Sequence, residues 1–474
     1  MELEPVRFGP DDVTRTVSGT IPYGAPDWVY LPVEIPDGVN RITVVYRYDR
    51  PTPPPGHDGN ALDLGVFDAH AGFRGWSGGA RDGFTISASD ATPGYLPGPV
   101  HAGRWHVLLG PYGIVPDGLP WTVTVTLERG PDGPTFVPNP APHEAAGRGR
   151  AWYRGDMHLH TVHSDGRREP AELAADARAA GLDYIVSTEH NTPSAHAVWG
   201  AYAGPDLLII NGTEVTTRNG HYAVLGLPAG TWIDWRYRAT DGAVSAFVNA
   251  AHKVGALAVA NHPLASCKGC GWKFGYEGLD AIEVWNGPWT PDDEATLGNW
   301  DNQLVSGERW LPAVGNSDVH GTDQIVGLPQ NVVLADRLDR DSIVAGVRAG
   351  HLWIAESAAV DLDFTASAAG LATAAGLASA DSADSAADGR SAGIGERLDV
   401  AEDTAITVML TVRGVPGGVV RIVTDQGRRL VTPVPATGVV SWTTTPRASR
   451  YVRAEVRRGD TMVALTNPIF LGRR

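Results

Sequence analysis

The chain has 474 residues, 43% of them hydrophobic and 19% charged, with a formal net charge of −16 at pH 7. Such a length exceeds one ordinary core and predicts two or three domains. No run reaches the ~18 apolar residues of a membrane span, the opening from Met1 to Arg7 lacks the basic end and apolar stretch of a secretion signal, so a cytoplasmic location is expected, and the acidic balance argues against broad nucleic-acid binding, which rests on Lys and Arg neutralising phosphates.

Residues 1–128 read as short strands between Pro, Gly and Asp turns, at 28–33, 41–48, 61–67, 105–109 and 121–127, and predict an N-terminal β-sandwich. The stretch 129–150 carries Pro131, Pro134, Pro138, Pro140 and Pro142, cannot hold a helix or an interior strand, and reads as a linker.

From 151 to 357 short apolar runs alternate with helical stretches, the pattern of a parallel β/α fold. Seven runs, at 153–159, 183–188, 207–212, 256–260, 281–285, 311–315 and 331–334, suggest a barrel. A helix is expected over 170–180, opened by Pro170 and stopped by Gly181, and another over 243–254, stopped by Gly255. Residues 366–396, rich in Ala, Ser, Asp and Gly, read as a disordered or loosely ordered insert. Strands at 405–413, 419–424, 439–444 and 451–457 predict a C-terminal β-sandwich over 397–474.

Cys267 and Cys270 are the two cysteines. A lone Cys-x-x-Cys supplies half a tetrahedral zinc site, so a reduced pair, a reversible disulfide and a metal contact all stay open.

In a parallel barrel, functional side chains gather where the strands end. His158 and His160 close the first strand, pointing the same way by strand periodicity, and Asp165 follows in a loop able to fold back. Glu189-His190-Asn191 closes the second strand and Glu214 the third, with His221 shortly beyond. His262 closes the next, Trp285-Asn286-Gly287 the one after, and Asp318-Val319-His320 the sixth. Six histidines and three carboxylates without a thiolate suit Zn, Mn or Fe rather than Ca or Mg, and are too many for one ion. Two or three divalent ions sharing a bridging carboxylate are expected.

His158-Leu159-His160 with Asp165, then His190, Glu214, His221, His262 and Asp318-Val319-His320, resembles the polymerase and histidinol phosphatase (PHP) family of metal-dependent hydrolases, over residues 152 to 357. The flanking sandwiches, the Glu283-Val284-Trp285-Asn286-Gly287 segment, and the ending from Tyr451-Val452-Arg453 through Asn467-Pro468 look like its carbaryl-hydrolase-like (CehA/McbA) branch. The resemblance implies an α/β fold, a distorted (β/α)7 PHP barrel flanked by sandwiches, and a trinuclear centre. It implies that His158, His160, Glu214 and Asp318 hold one ion, that Glu214 bridges to a second held by His221 and His262, and that Asp165, His190 and His320 hold a third. His163 has no ligand role in that pattern and reads as a residue behind the ligands or facing solvent.

The expected function is metal-dependent hydrolysis of a small anionic ester by a metal-activated hydroxide, most simply a phosphoesterase. A carboxylester or carbamate hydrolase needs the same parts. A nuclease and a non-catalytic binding protein are further alternatives. Trp272, Trp285, Trp289, Trp300 and Trp310 cluster in sequence with Lys268, Lys273, Asn286 and Arg309. Of these, Trp285, Asn286 and Arg309 are the candidate substrate contacts, the ring for an apolar leaving group and the polar groups for a phosphate.

Overall fold

The computed structural model describes residues 1–307, 310–368 and 391–473. Its first eight strands are β1 (Thr14–Ile21), β2 (Val29–Ile35), β3 (Val39–Tyr48), β4 (Ala61–Phe67), β5 (Phe73–Gly78), β6 (Gly83–Ser87), β7 (Gly103–Gly113) and β8 (Leu119–Arg129). They form two four-stranded antiparallel sheets, β1-β8-β3-β6 and β2-β7-β4-β5. Alternate residues such as Val29, Leu31, Ile42, Val44, Val107 and Val125 meet in one core between them. The second sheet has another dry face, where Phe67, Phe73, Trp76 and Leu108 join the core of the central unit.

The Pro-rich stretch that follows holds no helix, and the surface of its neighbours carries it. Phe136 N–H bonds to Ala88 O, Asn139 N–H to Ala197 O and Ala145 N–H to Leu338 O, each at 2.8–2.9 Å.

The central unit contains β9 (Ala151–Asp156), α1 (Pro170–Ala179), β10 (Tyr184–Ser187), β11 (Leu208–Thr217), β12 (Gly220–Leu225), α2 (Val244–Lys253), β13 (Leu257–Ala260), β14 (Ala281–Asn286), α3 (Pro291–Ser306), β15 (Ala313–Asn316), β16 (Gln330–Ala335), α4 (Arg340–Ala349) and β17 (Leu352–Ala355). The sheet order is β15-β14-β13-β12-β11-β10-β9-β16-β17. Asn331 on β16 donates to Gly315 O at 2.7 Å and accepts from Gly315 N–H at 3.0 Å, so the free edge of β15 comes round to β16. Gly155 on β9 is required by this curl, because a Cβ there would lie 2.2 Å from the Tyr184 ring.

The expected all-parallel pattern is corrected at two places. β12 pairs antiparallel with both β11 and β13, and β16 pairs antiparallel with β9 and β17. The two-residue link between Thr217 and Gly220 forces the first, since only an antiparallel pair can be joined by so short a turn. The two expected helices form as α1 and α2; α1 starts with Pro170 behind a reciprocal Glu169–Glu172 cap and buries Leu173, Ala174 and Ala177.

The C-terminal strands are β18 (Asp361–Ala368), β19 (Ser391–Ala392), β20 (Arg397–Leu398), β21 (Ile406–Arg413), β22 (Val419–Thr424), β23 (Gly427–Pro433), β24 (Val439–Thr444), β25 (Tyr451–Arg458), β26 (Thr461–Thr466) and β27 (Ile469–Leu471). Two sheets again face each other, but one is not separate: β26 pairs with β17 and continues the central sheet through β25, β22 and β23. The expected low-complexity insert 366–396 is narrower than its composition suggests, because Ala366 to Ala368 and Ser391 to Ala392 are paired strand; 369–390 lies outside the described residues.

Candidate metal centre

The site forms where two main-chain segments run past their strands and pair once more. Beyond β9, His160 N–H bonds to Val319 O at 3.1 Å, and beyond β15, Asp318 N–H bonds to His158 O at 2.9 Å. Strand alternation then turns His158 and His160 to the same side, facing Asp318 and His320. His190 pairs with Glu214 beside them, Asn191 N–H bonding to Glu214 O at 3.0 Å. On the β11–β12 hairpin His221 lies opposite Thr216, and His262 comes two residues after β13 ends. Asp165 comes back through a tight loop in which Arg167 N–H bonds to His320 O at 2.8 Å. Gly166 permits that return, because a Cβ there would lie 2.4 Å from the His160 main chain.

Three ordinary residues at this end hold left-handed backbone: Asn191 (φ 57°), His262 (φ 27°) and Asp318 (φ 48°). Such conformations cost about 1–3 kcal/mol each and persist where surroundings over-determine them. All three sit at or beside the clustered residues.

Eight of the nine expected ligands fall into three overlapping groups whose donor atoms lie within 4.8 Å of one another: His160, Asp165, His190 and His320; His158, His160 and Asp318; His158, Glu214 and His262. His221 is in none of these groups, but its Nδ1 lies 3.3 Å from Glu214 Oε1. Asp318 Oδ1 is 3.2 Å from His158 Nε2 and 3.0 Å from His160 Nε2. Glu214 Oε1 is 3.3 Å from His158 Nε2 and 3.2 Å from His262 Nε2. Asp165 Oδ1 is 3.4 Å from His190 Nε2 and 3.2 Å from His320 Nε2. The His160 ring is stacked 4.2 Å from both His190 and His320.

Residues behind the ligands fix which ring nitrogen carries the proton. His158 Nδ1 lies 3.0 Å from Glu283 Oε1, and His320 Nδ1 lies 2.9 Å from the Asp318 carbonyl. These oxygens can only accept, so each Nδ1 donates and each Nε2 is the nitrogen turned toward the cluster. Glu283 also accepts from His262 N–H at 2.8 Å, Asn286 Nδ2 at 3.0 Å and Asn316 Nδ2 at 2.8 Å. Glu189, equally buried, accepts from Thr161 and Ser164 in the loop leading to Asp165. Sequence reading missed both glutamates as holders of the site. The signal was present for Glu283, a carboxylate inside the apolar run Ala-Ile-Glu-Val-Trp that must find donors.

Electrostatics match a centre built for cations. Burial alone would raise Glu214 and Asp318, but the surrounding histidines hold both carboxyls well below their ordinary values. Burial, reinforced by His320 and His190, pushes His160 down to about 3, so that ring is neutral. Burial would also depress His320, but its bond to Asp165 and the charges of Asp318 and Asp165 lift it to about 10.

The donor set fits a metal by one further test. His160 Nε2, Glu214 Oε2, Asp318 Oδ1, His262 Nδ1 and both ring nitrogens of His221 are buried with no hydrogen-bond partner among the described residues. Buried polar atoms ordinarily find partners, and mixed imidazole and carboxylate donors of this kind suit Zn, Mn or Fe.

No family model and no curated protein matches the chain. Among solved structures, the chain is similar to a two-domain protein from Bacteroides vulgatus with a predicted PHP-like metal-dependent phosphoesterase, at 15% identity and a TM-score of 0.36 over 71% of this chain and 100% of that one. It is also similar to a protein from Bifidobacterium adolescentis assigned as a metal-dependent phosphoesterase (18%, TM-score 0.29, 44% and 96%). A third is an amidohydrolase from Chromobacterium violaceum with bound sulfate and no metal (18%, TM-score 0.29, 36% and 89%). Scores of this size place no residue and assign no reaction.

The expected substrate contacts are redistributed. Trp285 is 1% exposed, donates its N–H to Gly287 O at 2.8 Å and packs edge-on to Trp289, so it belongs to the core. Asn286 does reach the cluster, and its amide braces Asp318 Oδ2 at 3.2 Å. Arg309 lies outside the described residues. Trp300 is buried, with its N–H on Leu311 O, and Trp310 packs on Phe470. Cys267 and Cys270 are joined as a disulfide. Between them, Lys268 binds Asp58 and Tyr112 of the N-terminal sandwich. Among the described residues, no helix is long and apolar enough to cross a membrane.

Proposed function

We propose that this chain is a metal-dependent hydrolase of the PHP type, its curled central sheet of eight strands, β9 to β16, standing where the resemblance implies a distorted seven-stranded barrel. The observation that carries this reading is the set of buried atoms without a hydrogen bond on His160, Glu214, His221, His262 and Asp318. Divalent ions, when bound, supply a Lewis acid for a phosphoryl or carbonyl oxygen and make water nucleophilic near neutral pH.

The groups depart from the roles that the family pattern implies: Glu214 groups with His158 and His262 rather than with His160 and Asp318, and His221 falls in none of the three. His160 adjoins both the Asp318 group and the Asp165–His190–His320 group, so it stands at their junction rather than in one of them. Glu214, with one oxygen near His158 and His262 and the other 2.7 Å from His190 Nδ1, is placed to be shared. Two or three ions would be held in this way, displacing protons from the rings they bind. Glu283 and the Asp318 carbonyl engage Nδ1 of His158 and His320 and so turn Nε2 of each toward the cluster.

A centre of several cations facing three carboxylates keeps net positive charge and draws an anionic substrate. A phosphoester is therefore the favoured class, and a carboxylester or carbamate of the carbaryl-hydrolase-like branch is the alternative. Turnover of a nitrophenyl phosphate against a naphthyl ester, with Mn, Zn or Fe added, separates them. Absence of turnover on both overturns the hydrolase reading.

A further inference from the structure

His163 lies between His160 and Asp165 without joining any ligand group, and the structure gives it another employment. Its Nδ1 is 2.9 Å from Ser194 Oγ, which accepts the Gly94 N–H at 3.1 Å. Gly94 belongs to the loop of the N-terminal sandwich that follows β6, and its carbonyl accepts from Thr192 Oγ1 at 2.8 Å. The Arg81 guanidinium from the same sandwich donates to Val162 O, and the Trp76 ring stands edge-on to His190 at 6.5 Å. Two loops of the central unit are held by these contacts. One, residues 161–165, carries Asp165; the other, residues 190–194, begins at His190.

The contact is built to close tolerances. Gly94 has φ +98°, and a Cβ there would lie 2.9 Å from Trp76 O and 3.1 Å from His163 O. Only glycine fits between the two units. Ser194 is 5% exposed, whereas the Asp165 side chain is 43% exposed.

We propose that the N-terminal sandwich positions the metal centre from outside, through the bridge Gly94–Ser194–His163, and thereby sets the affinity of the His160–Asp165–His190–His320 group for its ion. This rests on the metal-centre reading above. His163 and Ser194 are positioning residues: they touch no donor atom of the group but fix the loops that carry two of its members. Loss of groups that orient a ligand typically lowers metal affinity ~10–100-fold.

The test is calorimetric titration of the metal-free full chain with Mn(II), with His320→Ala identifying which equivalent belongs to this group. Ser194→Ala and His163→Ala are expected to weaken that equivalent ~10–100-fold and leave the others within ~3-fold of wild type. His163→Asn, which keeps a polar atom near the position of Nδ1, should recover most of the loss. Asp27→Asn removes the 2.7 Å Asp27–Arg238 ion pair elsewhere between the same two units and should leave every equivalent unchanged. Unchanged Mn(II) binding in both alanine variants overturns the proposal, as does equal weakening of all equivalents, which marks general loosening. A wild-type chain that binds no Mn(II) overturns the metal-centre reading and this proposal together, a result distinct from wild type and variants that bind alike.

Discussion

His160 Nε2 and Asp318 Oδ1 lie 3.0 Å apart, both buried and neither with a hydrogen bond. Two such atoms left facing each other cost about 1–3 kcal/mol apiece in lost solvation. A bound cation held by these residues would remove that cost. Asp318→Ala and His160→Ala should therefore abolish hydrolysis and strip metal from the chain. Retained metal in either variant would contradict this arrangement.

Glu283 is expected to act through His158 rather than on substrate. Its Oε1 holds the His158 Nδ1 proton at 3.0 Å, and Gln in its place can turn an N–H toward that ring instead. Glu283→Gln should lower metal affinity by about 10–100-fold with the fold retained. Metal titration followed by circular dichroism checks both halves of that expectation.

Metal uptake should release protons. Burial disfavours the charged rings of His158, His190 and His262, but Asp318, Asp165 and Glu214 outweigh it and raise all three, and His320 is lifted to about 10. In the metal-free chain these rings hold protons that an ion must displace. Affinity should rise with pH across the neutral range and fall on acidification. Calorimetry of Mn(II) binding in buffers of different ionisation enthalpy reads the proton count directly; a count of zero would be inconsistent with rings charged in the metal-free state.

How far this centre could be read from the chain depends on what each element needs. The gathering of these side chains at strand ends was legible, because period-2 alternation puts His158 and His160 on one side and each following run ends on a polar cluster. The hairpin was not. Gly220–Leu225 is as apolar as a parallel strand, and only the two-residue link before it, with its partner Thr216 opposite His221, reveals the antiparallel direction. The joining of β17 to β26 was likewise hidden, since strands more than a hundred residues apart pair by tertiary fit and leave no local trace. Trp285 misled for a related reason: its neighbour Asn286 faces the cluster, and strand alternation sends the adjacent ring the other way.

The C-terminal unit is fastened by one buried charge cluster. Glu455, 4% exposed, accepts from Arg453 at 2.8 Å and Arg457 at 2.9 Å, and these arginines reach Asp301 and Glu294 on α3. Glu455→Gln should destabilise the chain by about 3–5 kcal/mol, the cost of leaving buried charge uncompensated. Burial raises the Glu455 pKa, but the two arginines more than reverse this and hold it below its ordinary 4.5. A depressed carboxyl contributes stability above its unfolded pKa and loses it as pH falls through the folded value. The wild type should thus lose stability below about pH 4.5, and the variant should lose less over that range. Urea unfolding at several pH values measures the difference.

The most direct measurement is the metal content of the full chain purified without chelator, by mass spectrometry of the elements. Two or three equivalents of Zn, Mn or Fe per chain are expected, and fewer in His160→Ala, whose side chain adjoins two of the three groups. A chain that carries none of these metals, and takes up none when they are added, would contradict a metal centre at this site.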